Sequence, residues 1–135
     1  METKPIEVAA GLIFRSGKLL ITQRQADAHL GGLWEFPGGK RERGESFEQC
    51  LARELREELG VEISVGELFE SVTHAYPEKT VHVKFFPGRL VRGEPQPLGC
   101  AALVWASRIE LAAYAFPAAD AGLLEKIGRT EAFWT

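Results

Sequence analysis

Three glutamates, Glu54, Glu57 and Glu58, lie close together near the end of the segment EFPGGKRERGESFEQCLARELREELG, residues 35–60. On a helix, positions i, i+3 and i+4 project from one side within about one turn. Carboxylates held this close in partial burial are costly unless a cation neutralises them. Because hard divalent ions prefer oxygen ligands, the spacing indicates a Mg²⁺ site, with Mn²⁺ as the second candidate.

A second interpretation stays open for the glutamates alone, because a string such as RELREEL also fits a solvated helix surface. Two features before the helix favour the metal site. The Pro-Gly-Gly sequence at 37–39 predicts a turn whose backbone can approach a ligand, and Glu45 adds a carboxylate just before the helix. Arg53 precedes Glu57 by four residues, so we expect an ion pair that orients Glu57.

The helix that carries these side chains has clear end signals. Ser46 is a suitable N-cap, and Gln49 three residues later completes a capping box. Gly60 predicts a left-handed C-terminal cap. Apolar residues at four-residue spacing predict a buried stripe, formed by Phe47, Leu51, Leu55 and Leu59.

Strand patterns surround this helix. The segments 6–14 and 19–24 predict a hairpin closed by a turn at 15–18. The remaining predictions are a loop over 25–33, an extended piece at 34–36, strand over 61–76 with a weak point at Gly66, a turn at 77–79, an alternating strand over 80–91, a loop over 92–100, a strand over 101–107, a short helical or irregular segment over 108–116, and a helix over 119–128 that buries Leu123, Leu124 and Ile127. We therefore predict one α+β domain over residues 1–135, with a mostly antiparallel sheet and a helix on each side.

Composition narrows the classes of partner. The 135 residues are 45% apolar and 26% charged, with a net charge of −3 and a pI near 5.7. These values argue against stable nucleic-acid binding or a membrane-surface footprint, while a local cation can still offset the phosphates of a nucleotide. The segment VAAGLIF predicts a strand rather than a signal sequence, and the two cysteines lack metal-type spacing. We therefore expect a cytoplasmic protein.

The segment 39–61 resembles the Nudix box, Gly-x5-Glu-x7-Arg-Glu-U-x-Glu-Glu-x-Gly-U, in which U is a bulky apolar residue. The chain supplies Gly39, Glu45, Arg53-Glu54-Leu55, Glu57-Glu58 and Gly60-Val61 at the fixed positions. The flanking segments RQADAHLGGLWEFPGGK, YPEKTVHVKFF and FPAAD are similar to the MutT-type branch of this family. The resemblance covers nearly the whole chain and implies the Nudix fold, a mixed sheet sandwiched between helices.

The resemblance implies Mg²⁺-dependent hydrolysis of nucleoside triphosphates such as 8-oxo-dGTP to the monophosphate and pyrophosphate, which sanitises the nucleotide pool. One alternative is a pyrophosphohydrolase for modified cytosine nucleotides or other nucleoside diphosphate derivatives. Another is a non-catalytic module, like the MutT-like domain of adenine-specific DNA glycosylases that helps recognise 8-oxoguanine. Such modules have generally lost the box glutamates that this chain keeps, so an enzyme is favoured. We expect a monomer or a homodimer.

The resemblance also assigns roles to single residues. It implies that Glu54, Glu57, Glu58 and the carbonyl of Gly38 bind Mg²⁺, with Glu45 and Arg53 supporting them as part of the catalytic group. Candidate substrate-binding residues are Arg24, His29, Glu35, Phe36, Pro37, Gly38, Lys79 and Asp120. Purely structural roles remain open for His29 as a loop residue, Phe36 in core packing and Lys79 as a solvated hairpin charge.

Two positions depart from the branch. Asp120 stands where an asparagine is typical, and an ionised aspartate only accepts hydrogen bonds. It could still read a purine, favour a base with donors such as the cytosine amino group, or cap the last helix. Gly99 stands where many relatives carry a candidate general base, six residues before Trp105. That role could fall to Glu54, to Glu57 or to no dedicated side chain, and we expect the adjacent Cys100 to be structural.

Overall fold

A computed structural model describes residues 4–135, and a mixed sheet forms its centre. The strands are β1 (Ile6–Arg15), β2 (Lys18–Gln23), β3 (Trp34–Glu35), β4 (Gly38–Lys40), β5 (Glu62–Val65), β6 (Glu70–Tyr76), β7 (Lys79–Arg92) and β8 (Ala102–Ala106). The main order is β3-β2-β1-β7-β5, while β4 pairs with β1, β6 with β7, and β8 with β2. Strands β1 and β7 run parallel, and the other described pairs are antiparallel. The predicted α+β class and the hairpin of β1 and β2 are confirmed.

One helix packs on each face of the sheet. Helix α1 (Phe47–Leu59) buries the predicted leucine stripe, while Phe47 is half-buried. Helix α2 (Ala121–Arg129) buries Leu123 and Ile127, whereas Leu124 is only half-buried. Alternate residues of β1 serve the two cores: Ala9 and Ile13 face the α1 side, and Ala10 and Leu12 face the α2 side. This double burial accounts for the near-continuous apolar run of β1.

The ends of α1 match the predicted signals. The Ser46 hydroxyl accepts a hydrogen bond from the Gln49 amide, and the Gln49 side chain accepts one from the Ser46 amide. Gly60 ends the helix with φ of 70°. Beyond it, the loop at 96–99 donates backbone hydrogen bonds of 3.0 Å to the carbonyls of Glu58 and Leu59, which satisfies the last turn of the helix.

Several predicted boundaries were wrong. Residues 38–40 form β4 rather than a turn, because the two glycines let this segment lie directly against the backbone of β1. Strand β7 starts at Lys79, inside the predicted turn. By contrast, the weak point predicted at Gly66 is confirmed, because the strand predicted over 61–76 is interrupted over 66–69 and its two parts pair with different stretches of β7. The short helical or irregular segment predicted over 108–116 is also confirmed by a 3₁₀ helix at Glu110–Ala113, and another at Ala118–Asp120 precedes α2. Within residues 4–135, no helix is long and apolar enough to cross a membrane.

Candidate active site

The carboxylates of α1 meet the backbone of β4 at Gly39. A Cβ atom added at Gly39 would lie 2.6 Å from Oε1 of Glu54, so any side chain there would displace this carboxylate. A Cβ atom at Gly38 would overlap the carbonyl oxygen of Ala9 on β1. The two glycines therefore permit two close approaches, of β4 to β1 and of β4 to Glu54.

Arg53 organises the carboxylates. Its guanidinium binds Glu45 through two hydrogen bonds of 2.7 and 3.1 Å. Its Nη1 donates to Glu54 at 3.0 Å and contacts Glu57 at 3.3 Å, which is the ion pair expected from the four-residue spacing. Its Nη2 also donates to the carbonyl of Lys40 at 3.0 Å. One arginine thus joins the loop before α1, the helix and β4 into a single unit.

The glutamates differ in environment. Burial, and then the nearby charges of Glu35 and Glu54, raise the pKa of Glu58 to about 8. Burial is also the largest cause of the raised pKa of Glu54, although Arg53 opposes it. The Glu57 side chain is 61% exposed. Glu45, held by Arg53, has its pKa lowered to about 2.

The donor set fits a hard divalent cation. Within residues 4–135, no three acidic, imidazole or thiol groups already converge as a metal cluster. The groups at hand are nevertheless oxygen donors: Glu54 beside Gly39, Glu57 and Glu58 one turn further along the same helix, and the backbone of β4. Two of these carboxylates have raised pKa values because they are buried with too little positive charge around them. A cation at this place would supply the missing charge.

A cavity of about 330 Å³ is lined by Gly38 and Gly39, and Gly39 is the residue that Glu54 approaches from α1. Most of the predicted substrate-binding residues line the cavity, namely Arg24, His29, Glu35, Phe36, Gly38, Lys79 and Asp120. Pro37 is buried outside the lining, and its carbonyl accepts a hydrogen bond of 2.8 Å from the Gly11 amide. The cavity and the carboxylates are thus neighbours along β4.

Contacts with neighbouring residues fix two of the side chains that line the cavity, Arg24 and Phe36. The Arg24 guanidinium donates to Glu35 at 2.7 Å and to the carbonyl of His29 at 2.6 Å, which holds the end of the loop that carries His29. Phe36 is buried, with its ring 5.2 Å from that of Phe116, and it also lines the cavity. Core packing and a role as cavity wall, the two readings left open for Phe36, therefore coexist.

Asp120 belongs to the cavity and does not cap α2. Its side chain makes no capping hydrogen bond, and its backbone is helical rather than extended, so the capping interpretation was wrong. Burial, and then the charge of Glu35, raise the pKa of Asp120 to about 6, although His74 opposes the shift. This carboxyl group therefore changes charge near neutral pH.

Sequence reasoning missed His74, Tyr76 and Lys40, which also line the cavity. A signal for the first two was present, because alternate residues of a strand share one face. Val72, His74 and Tyr76 alternate with exposed residues along β6. Which face of β6 meets the cavity depends on the pairing of β6 with β7. The alternating pattern of β6 alone does not predict this pairing.

Gly99 lies against α1 with little room for a side chain. Its amide donates to the carbonyl of Glu58, and a Cβ atom here would lie 2.9 Å from Cγ of Glu58. Cys100 is buried in the core on the α1 side, as expected for a structural cysteine. The position that bears a candidate base in many relatives is therefore taken up by packing in this chain.

Comparisons with known proteins agree with this arrangement. The family model described as "NUDIX domain" matches residues 9–126. The chain is 46% identical over 127 residues to the CTP pyrophosphohydrolase of Escherichia coli K12, covering 90% of each protein. It is 35% identical over 127 residues to the 8-oxo-dGTP diphosphatase of the same organism, covering 93% of this chain and 98% of that protein.

Solved structures of similar proteins share the fold of this chain. The solution structure of the E. coli ORF135 protein matches with a TM-score of 0.81 at 42% identity, covering 96% of this chain and 92% of that one. The crystal structure of the MutT protein from Methanosarcina mazei Go1 matches with a TM-score of 0.85 at 26% identity, covering 97% and 98%. The family model and the curated relatives identify a hydrolase of phosphoric anhydrides. The chain belongs to the NUDIX domain family, which confirms the resemblance and favours the enzyme over the non-catalytic module.

Proposed function

We propose that this protein is a Mg²⁺-dependent pyrophosphohydrolase that converts nucleoside triphosphates to the monophosphate and pyrophosphate, with Mn²⁺ as a substitute ion. The observation that carries the proposal is that Gly39 lines the cavity and also lies against the Glu54 carboxylate of α1. A base and sugar in the cavity would place their phosphates beside that carboxylate. The proposal includes a cytoplasmic location and a single domain acting as a monomer or homodimer.

In the proposed mechanism, Glu54, Glu57, Glu58 and the Gly38 carbonyl would hold a divalent cation, which would offset negative charge on the phosphates. Water adds to a phosphorus atom, the phosphoanhydride bond breaks, and pyrophosphate leaves. Arg53 keeps Glu45, Glu54 and Glu57 in one arrangement, so their positions are set before the substrate arrives. Because Gly99 offers no base, Glu54 or Glu57 accepts the proton from the attacking water.

Two base classes have support. Oxidised guanine, as in 8-oxo-dGTP, is supported by the relatives named 8-oxo-dGTP diphosphatase. Cytosine is supported by the relative named CTP pyrophosphohydrolase and by Asp120 in the cavity, because an ionised carboxylate accepts from the cytosine amino group. Nucleotide-pool sanitation is the role that we propose for either base.

The first test is a nucleotide panel. Canonical and oxidised (d)NTPs are incubated with the purified protein and Mg²⁺, and released monophosphate and pyrophosphate are separated chromatographically. We expect equal amounts of monophosphate and pyrophosphate, loss of turnover with excess EDTA, and recovery when Mg²⁺ is restored. Release of orthophosphate alone would contradict the proposed bond cleavage, and absence of turnover on every nucleotide would contradict the function.

The second test uses pH. Because the folded-state pKa of Asp120 is about 6, this carboxyl is ionised at pH 8 and largely protonated at pH 5.5. The ionised form only accepts hydrogen bonds and so favours the cytosine amino group, whereas the protonated form also donates. We expect the ratio of kcat/KM for dCTP to that for 8-oxo-dGTP to fall about tenfold from pH 8 to pH 5.5.

Protein groups that act equally on both substrates affect both values of kcat/KM in the same way, so their titration cancels in the ratio. The ratio therefore reports the response of the base pocket. Asp120→Asn removes the titrating group while keeping its size. We expect this variant to have a lower ratio at pH 8 than the wild type and a weaker dependence of the ratio on pH. A wild-type ratio that is constant over this range, or a variant that keeps the pH dependence, would show that Asp120 does not read the base.

A further inference from the structure

One wall of the cavity is the inward face of β6 and β7. Along β6, Val72, His74 and Tyr76 line the cavity, while the residues between them face solvent. Along β7, the lining residues are Lys79, Val81, Val83 and Phe85. This wall is apolar at its base and polar towards Lys79, and His74 is the imidazole that projects from it.

The His74 imidazole is held in place by aromatic neighbours. Its ring centroid lies 4.3 Å from that of Tyr76, with the two planes at 72°. Tyr76 in turn meets His29 edge-on, with centroids 5.2 Å apart. The three rings form a chain across this part of the cavity, so the orientation of His74 is restricted before any ligand enters.

Asp120 comes from a different part of the fold, at the start of α2, and lines the cavity beside Pro117 and Ala119. His74 and Asp120 line the same cavity, and the imidazole opposes the rise in the pKa of this carboxyl group. The other charged or titratable groups that line the cavity are Arg24, His29, Glu35, Lys40, Tyr76 and Lys79. Among these, Glu35 is already paired with Arg24 at 2.7 Å.

We propose that His74 is a specificity-determining residue, which donates a hydrogen bond to the base while Asp120 accepts one from it. Together the two side chains read a base edge that carries an amino donor beside an acceptor. Cytosine has this edge, with its amino group for Asp120 and its ring nitrogen N3 for His74. The inference rests on the proposed function, because it names the base class of the same site.

Uracil is the informative comparison, because it has the same size and shape as cytosine. Its carbonyl replaces the amino group and would face the Asp120 carboxylate, acceptor against acceptor. Its ring N–H would face the His74 donor if the base kept the same position. An unmet hydrogen bond in a desolvated pocket is expected to give roughly tenfold discrimination against uracil.

Binding of nucleoside monophosphates tests this inference without relying on turnover. The dissociation constants of CMP and UMP are measured by calorimetry at pH 8 for the wild type, His74→Leu and His74→Gln. His82→Gln is the matched control, since His82 lies on the adjacent strand, bonds Thr73 at 2.8 Å and does not line the cavity. AMP carries the same hydrogen-bonding edge on a larger ring system, so comparing its dissociation constant with that of CMP shows whether the cavity prefers cytosine or adenine.

We expect the wild type to bind CMP more tightly than UMP, and His74→Leu to reduce this preference about tenfold. His74→Gln keeps an N–H donor and should stay within about threefold of the wild type. The control should be unchanged. Equal preference in the wild type and His74→Leu, or an equal loss of affinity for both nucleotides, would overturn the inference and leave His74 as a packing partner of Tyr76.

The same proteins are then assayed with CTP and UTP. A loss of selectivity that appears in KM with little change in kcat is expected for a residue that contacts the base away from the reacting phosphorus. If the wild type turns over no nucleotide while CMP discrimination still depends on His74, the proposed function fails and the inference stands. If turnover occurs without any preference between CTP and UTP, the inference fails and the proposed function stands.

Discussion

Glu57→Gln is expected to lower kcat/KM for the preferred nucleotide by more than about a hundredfold, because loss of an outer-shell support alone costs 10–100-fold and Glu57 is a proposed metal ligand. Glutamine has nearly the same shape and can still accept a hydrogen bond from Arg53, so the fold should be retained. The Glu57 side chain is mostly exposed, which also limits any loss of stability. The measurement is steady-state pyrophosphate release at several Mg²⁺ concentrations.

Glu48→Gln is the matched control, because Glu48 lies on the same helix, is exposed and does not contact Arg53. Its activity should stay close to that of the wild type. Binding of Mn²⁺ followed by electron paramagnetic resonance gives a readout that is independent of turnover. If Glu57→Gln and Glu48→Gln behaved alike in both measurements, the three-glutamate metal site would be refuted.

The second large effect concerns the two glycines of β4, which we expect to separate stability from catalysis. In Gly38→Ala, the new methyl group would overlap the carbonyl of Ala9 and lie 2.8 Å from Cα of Ala10, both in the backbone of a buried strand. Backbone of this kind cannot move without disturbing both cores. We therefore expect a loss of about 3 kcal/mol in the free energy of unfolding, measured by urea denaturation.

In Gly39→Ala, the new methyl group meets the end of the Glu54 side chain, which can rotate away. We expect little loss of stability, but a 10- to 100-fold loss of kcat/KM, roughly the effect of removing a group that orients a metal ligand. Gly122→Ala is the control, since a Cβ atom there would meet nothing within 4 Å. Equal destabilisation by both β4 variants, or full activity of Gly39→Ala, would contradict this division of roles.

The parts of the fold that could be predicted are those with local signals. Helix α1 carries its cap residues, its buried stripe and its end glycine within a short segment, so Ser46 and Gly60 were located correctly. Strand β4 had no such signal. A pair of glycines predicts a turn, and only the backbone of β1 alongside makes that segment a strand.

The residues of the site also differ in whether the local sequence predicts their contacts. The ion pair between Arg53 and Glu57 follows from helix spacing, and the structure contains it. The role of His74 depends on which face of β6 meets the cavity, and the contact of Arg24 with Glu35 closes the loop between β2 and β3. Asp120 was open between two roles, because its position at the start of a helix is equally compatible with a cap and with a cavity wall. The missing capping hydrogen bond and the helical backbone of Asp120 excluded the cap.

The packing of Gly99 against Glu58 limits how this site can be re-engineered. The loop at 96–99 donates hydrogen bonds to the carbonyls of Glu58 and Leu59 and so fastens the last turn of α1. A larger residue at 99 would push against the Glu58 side chain, so the two positions are epistatic. A glutamate introduced at position 99 alone would displace the Glu58 carboxylate, so the site would not gain a carboxylate. An additional catalytic group would require the loop to be redesigned together with the end of the helix.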